Sequence, residues 1–162
     1  MSNIADSQKA LAGTLLNDRG GEATLNALFD VYVKYQHAAP DAAAGDTFNK
    51  NIFQNTLGVS LRLEEATYIP DAALTSSDTV YLTLTVLKGV AGTVTTAQAA
   101  LDTRVTAGTG NWVADTPEAL TLNATAANRV VADQEIVCVA KTIASTGTIL
   151  PAGVLQLKFR RV

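Results

Sequence analysis

Between Leu57 and Lys88 the chain alternates apolar and polar side chains with a period of two. Val80, Leu82, Leu84 and Val86 are interleaved with Tyr81, Thr83 and Thr85. Successive side chains on a strand point to opposite faces, so this rhythm places an aliphatic row inside and a Tyr/Thr row outside. Two strands are predicted, Gly58–Ile69 and Thr79–Lys88, joined by a turn that runs from Pro70 to Asp78. In the first, the parity set by Val59, Leu61 and Leu63 breaks at Glu64-Glu65 and resumes as Ala66 and Tyr68. A phase flip of that kind is what a β-bulge produces, and it predicts a bend that lets the strand serve two sheets.

The same pattern recurs along the chain. Phe29, Val31, Val33 and Tyr35 predict a strand from about Leu28 to His37. A helix from Glu22 to Tyr35 competes with it, because Leu25, Leu28, Phe29 and Tyr32 share a helical face. Strands are expected over Thr47–Gln54, 93–106 and 118–125, with a one-turn helix capped by Thr95 and Gln98 as the alternative within 93–106, and Glu135–Ile143 is apolar on both parities. A strand like the last is either central in a sheet or covered by another subunit. The final strand, Val154–Arg161, turns Leu155, Leu157 and Phe159 inward and Gln156, Lys158 and Arg160 outward. About eight strands, with turn signals every 8–14 residues and no βα alternation, predict an all-β antiparallel sandwich. Long irregular connections and the lack of a Cys…Trp…Cys framework favour a jelly roll over an immunoglobulin-like sandwich.

One domain is expected, a sandwich over residues 22–162, preceded by an N-terminal arm over residues 1–21 that is either a short amphipathic helix or a disordered tail. Ile4, Leu11 and Leu15 lie at roughly helical spacing, and Gly20-Gly21 ends the segment. A stripe that short is marginal as a helix by itself.

Composition narrows the function. With 162 residues the chain is long enough to bury a core without staples. A net charge of −3 argues against a nucleic-acid partner. The charge is uneven: residues 1–81 hold ten acids and five bases, residues 82–162 five acids and seven bases. Three of those bases are Lys158, Arg160 and Arg161. They fit either a solvated edge strand with charged gatekeepers or a docking face for an acidic partner. No apolar run approaches the ~20 residues of a membrane span, and no signal peptide is visible, so neither membrane nor secretion is expected.

Chemistry is sparse. His37 and Cys138 are each the single residue of their type, so no internal disulfide forms. Cys138 reads as a small buried thiol and His37 as a strand-end residue, which makes a Cys/His pair an unfavoured arrangement. No Gly-x-Ser-x-Gly elbow, Asp-x-Asp-x-Asp-Gly loop or phosphate loop occurs. Asp41, Asp46, Asp71, Asp78, Asp115 and Asp133 sit near turns, where Asp commonly binds local backbone N–H groups. Tyr32, Tyr68, Tyr81 and Trp112 could line a sugar platform, although core and sheet-face roles suit them better. No enzyme activity, metal or cofactor is expected.

Some turns and strands are shared with a known group. Leu61 through Thr75 (LRLEEATYIPDAALT), Asp78–Leu84, Leu101-Asp102-Thr103, Leu120-Thr121-Leu122, Ala132–Glu135 and Leu150–Gly153 together resemble the jelly-roll head-decoration and fibre-type virion proteins of tailed bacteriophages. The resemblance spans roughly residues 47–162. It implies a cement protein, often trimeric, that binds the major capsid protein on the outer surface of the virion after assembly in the host cytoplasm. It implies no catalytic residue. Under it, Ile4, Leu11, Leu15, Val137, Val139, Ile143, Lys158, Arg160 and Arg161 are the expected partner-interface residues, toward capsid subunits or a second copy. A tail- or fibre-associated receptor- or carbohydrate-binding module is the alternative on the same fold.

Overall fold

The structure is a computed structural model that describes residues 30–43, 45–143 and 148–162, the side chain of Ile143 excepted. The arm, its boundary at residue 21, and Ile4, Leu11 and Leu15 lie outside the described residues. Among the described residues ten strands form two antiparallel sheets: β1 (Asp30–His37), β2 (Phe48–Gln54), β3 (Leu61–Pro70), β4 (Leu82–Val90), β5 (Thr93–Asp102), β6 (Glu118–Ala119), β7 (Thr121–Leu122), β8 (Val130–Val131), β9 (Ile136–Ile143) and β10 (Gly153–Arg161). One sheet, here sheet A, runs β1-β10-β3-β6, with β8 also paired to β3; sheet B runs β2-β9-β4-β5-β7.

Part of the pairing is nested, beside the further pairs β3–β10, β4–β9 and β5–β7. β1 pairs with β10, β2 with β9, β3 with β6 and β8, and β4 with β5. First meets last and second meets second-last, as in a long hairpin wrapped into two layers, so the sandwich is a jelly roll. The inward rows of the two sheets make the core. Leu61, Leu63, Leu82, Leu84, Val137, Leu155 and Phe159 are among its fully buried members. Gly153 is required where β10 crosses β3, since a Cβ there would lie 2.4 Å from the Ile69 carbonyl oxygen and 2.9 Å from the Tyr68 ring.

The bulge at Glu64-Glu65 is present. Lys158 pairs with Glu65 and Phe159 with Leu63, leaving Glu64 as the extra residue. The bulge resets the inward parity from Leu61 and Leu63 to Ala66 and Tyr68, all buried. It does not carry β3 into a second sheet, because every partner of β3 belongs to sheet A.

Other expectations are corrected. The two strands of the Leu57–Lys88 stretch lie in opposite sheets rather than forming a paired unit. Val80 does not join the inward row of β4: the Ser77 N–H donates to its carbonyl (2.8 Å) in a turn, and its side chain is 38% exposed. The strand predicted over 118–125 is broken at buried Leu120, with β6 in sheet A and β7 in sheet B. The final strand is central, between β1 and β3, and is no edge. β9 is also central, between β2 and β4.

Candidate functional site

Long connections gather at one end of the sandwich, where β1 and β3 finish and β2, β4 and β10 begin. The inward row of β1 ends there at His37, and the inward row of β9 ends nearby at Lys141. Val137, Val139 and Lys141 share one parity, so the geometry that buries two valines also buries an ammonium group. The Lys141 side chain is fully buried, which is costly unless the charge is paired. Asp41, in the β1–β2 connection, supplies the pair through a short contact to Lys141 Nζ, and its own side chain is nearly buried. The Leu150 N–H also donates to the Asp41 carboxylate at 3.4 Å. His37 Nε2 lies 3.4 Å from the other Asp41 oxygen, and the imidazole stacks on Phe48 with ring centroids 5.4 Å apart.

Burial pushes the His37 pKa below its ordinary value. Asp41 opposes that shift and the Lys141 charge adds to it. A cavity of about 220 Å³ opens beside this cluster, lined by Tyr35, His37, Asp41, Asp46, Thr47, Phe48 and Lys50. The arrangement ties sheet A, a loop and sheet B through one carboxylate that faces two nitrogen bases. It can hold or release a proton at His37. Among the described residues, no group of three His, Cys, Asp or Glu could hold a metal ion.

Cys138 lies on the other parity of β9 from Lys141 and faces away from this cluster. Its thiol donates to Asn51 Oδ1 (2.8 Å), and burial raises its pKa. His37 and Cys138 are therefore not brought together. Trp112 and Tyr68 are buried against each other, ring centroids 5.6 Å apart, with the Tyr68 hydroxyl donating to the Pro151 carbonyl (2.7 Å). Desolvation raises the Tyr68 pKa well above the usual phenol value. Tyr81 lies under the Arg104 guanidinium at 5.0 Å, while Tyr32 is exposed on sheet A. The four rings form no common platform.

The expected interface residues divide. Val137 and Val139 point into the sandwich core and are consumed by it, so no partner can reach them. The Ile143 side chain lies outside the described residues. Lys158 and Arg160 point outward from β10 but are already neutralised: Lys158 Nζ is 3.1 Å from Glu65 and 3.5 Å from Asp30, and Arg160 Nε is 3.6 Å from Asp30. Arg161 is exposed at the end of β10.

The parity of β9 that turns away from the core carries Ile136, Cys138 and Ala140, of which Cys138 and Ala140 are buried and Ile136 is half-buried. Across β4 they are flanked by Gly89, Leu87 and Thr85. Across β5, Thr85 and Leu87 are flanked by Ala100 and Ala97. This outer face of sheet B is made of small and apolar side chains with no charge over its centre. Beside it, Ala97, Ala100, Thr121, Leu122, Asn123 and Ala124 line an apolar hollow of about 300 Å³. The face was legible as the second apolar parity of Glu135–Ile143. What sequence reasoning missed was which parity the core takes.

No protein-family model matches the chain, and no curated protein matches it. Among solved structures the chain is similar to a chain of "Structure of infectious bursal disease virus Gx strain", with a TM-score of 0.40 and 11% identity over 82% of this chain. It spans 32% of that chain's length. A likeness that distant carries no functional argument.

Proposed function

We propose that the chain is a non-enzymatic virion structural protein, a decoration or cement protein that binds the major capsid protein on the outside of a tailed-phage head and self-associates there, most simply as a trimer. The observation that carries this reading is the uncharged outer face of sheet B. Four of its strands are 7–10 residues long and lie about 4.8 Å apart, so the face spans roughly 500 Å², with Cys138 and Ala140 at its centre already buried and Thr85, Leu87 and Ala100 half-buried, and two such faces together approach the ~1,000 Å² of a specific interface. A solvated sheet face ordinarily carries charges, as the outer face of sheet A does. The sequence resemblance to decoration proteins points the same way, with residues 1–21 as a tether. The experiment is binding of the purified full chain to undecorated heads of the encoding phage, with its mass measured by light scattering at micromolar concentration. Saturable binding and a mass of about three chains are expected. Absence of binding overturns the decoration role, and a strictly monomeric mass overturns self-association.

A further inference from the structure

The two ends of the sandwich are built differently. At one end the turns are short, as at Ala91-Gly92 between β4 and β5. At the other end the connections 38–47, 71–81, 103–117 and 144–152 are long, and hydrogen bonds lock their described parts together. Leu74 and Trp112 exchange backbone hydrogen bonds at 3.2 and 2.9 Å. The Ser76 N–H donates to Asn111 Oδ1 (2.9 Å), and the Ser76 hydroxyl donates to the Thr103 carbonyl. Asp78 accepts from the Thr106 N–H at 2.8 Å, and the Thr148 hydroxyl donates to the Thr75 carbonyl at 3.2 Å. On this braced framework four β-branched side chains stand out in solvent: Val80, Val105, Val113 and Ile149, 38, 55, 65 and 43% exposed. Stiff side chains on braced loops lose little entropy on contact, which is what a preorganised docking surface needs. The same connections carry exposed carboxylates at Asp71, Asp78 and Asp115, while the guanidinium of Arg104 is held by Asp102 at 2.6 Å.

We infer that this loop end is a docking surface, and that its partner is a protein surface presenting a small apolar patch rimmed by Lys and Arg. Charge complementarity sets that choice: the loop end offers exposed aliphatic tips together with exposed carboxylates. The inference rests on the decoration reading and deepens it, the partner surface being that of the capsid shell. β1 starts and β10 finishes at the opposite end, where the Val162 N–H donates to the Ser60 carbonyl (3.0 Å).

The test titrates undecorated heads with the full chain, with the double variant Val105→Lys/Val113→Lys, and with Val90→Lys at the short-turn end as control. The double variant is expected to bind about tenfold more weakly or worse. It should unfold at the same temperature as the parent, because both side chains are already in solvent, and Val90→Lys should bind normally. Binding of the parent should also weaken from low to high salt. If the parent binds and the double variant binds equally well, the docking inference is overturned while the decoration reading stands. If the double variant binds heads normally but no longer self-associates, the surface serves a second copy and the inference is overturned. If the parent does not bind heads, the reading fails and takes the inference with it.

Discussion

The two sheets place their charges on opposite sides. Sheet A keeps them outside: Arg62 and Glu64 meet at 2.6 Å, and Lys158 and Arg160 close around Asp30. Its inner row is wholly apolar over Leu155, Leu157 and Phe159. Sheet B does the reverse. Lys141, and at the far end of the strands Lys88, lie on the inward parity, each with a carboxylate partner, Asp41 and Glu135 respectively. Its outer face is neutral over Thr85, Leu87, Cys138, Ala140 and Ala100. Both sheets satisfy the rule that buried charge must be paired, but they leave different outsides. A charged, half-exposed ladder stays wet because dehydrating it costs more than contact returns. A neutral face of small side chains can be covered at little cost.

The largest expected effect comes from breaking the inner charge of sheet B. Lys141→Ala leaves the Asp41 carboxylate buried without its main partner, and removing one member of a buried pair costs about 3–5 kcal/mol. Urea unfolding should show the loss as a lower midpoint with an unchanged slope. The double variant Lys141→Met/Asp41→Asn should recover most of it, since no charge is then stranded. A loss under about 1 kcal/mol for Lys141→Ala, the range of exposed pairs, would mean that water reaches the pair and that the contrast between the sheets is smaller than drawn.

Next in size is the outer face. Thr85→Lys puts a charge at the centre of the neutral face, flanked by Ala140 and Ala100. Self-association measured by sedimentation should weaken about tenfold or more, equivalent to roughly 1.4 kcal/mol. Gln156→Lys, the corresponding change on the outer face of sheet A, should leave association unchanged. Equal effects from both would erase the distinction between the faces.

Much of this architecture was legible in the chain. Alternation located β1, β2, β3, β4, β9 and β10 within a few residues, and the Glu64-Glu65 phase break marked the bulge, because side-chain parity is a local property that backbone geometry imposes. Sheet membership is not local. Nothing in the rhythm of Leu61–Tyr68 and Leu82–Val86 says that a long loop carries the chain from one sheet to the other. For the same reason β10 read as an edge from its Lys and Arg residues, although it lies between β1 and β3. The His37–Asp41–Lys141 cluster left one readable trace, a lysine on the parity of Val137 and Val139. Its carboxylate partner is one hundred residues away in sequence, where only the fold connects them.

A smaller effect is expected from the outer ladder of sheet A. Arg62 and Glu64 are paired but partly solvated, 34 and 22% exposed at the side chain. Arg62→Ala should therefore cost about 0.2–1 kcal/mol in the same urea experiment, and less in high salt. A loss as large as that of Lys141→Ala would show that the sheet A ladder is as dehydrated as the sheet B pair.

The smallest expected effect is the pH response at the hinge between the two sheets. His37 projects from sheet A toward Lys141 of sheet B. Tyr35 from β1, Asp41 and Asp46 from the loop, and Lys50 from β2 are the other titratable groups around the cavity. Its pKa is lowered first by burial and further by Lys141, so the folded chain binds fewer protons at this site than the unfolded chain. The stability His37 contributes is then complete above its unfolded value of about 6.5 and is lost as the pH falls below it. Asp41 attracts the imidazolium and offsets part of the loss, which keeps the effect small. Urea midpoints measured from pH 7.5 down to pH 5 should decline for the parent and decline less for His37→Gln, which keeps a polar side chain of similar size but cannot titrate. Identical slopes would assign the acid sensitivity to carboxylates elsewhere. A parent that becomes more stable toward pH 5 would show that Asp41 outweighs burial and Lys141 together, and that the imidazolium completes the buried cluster.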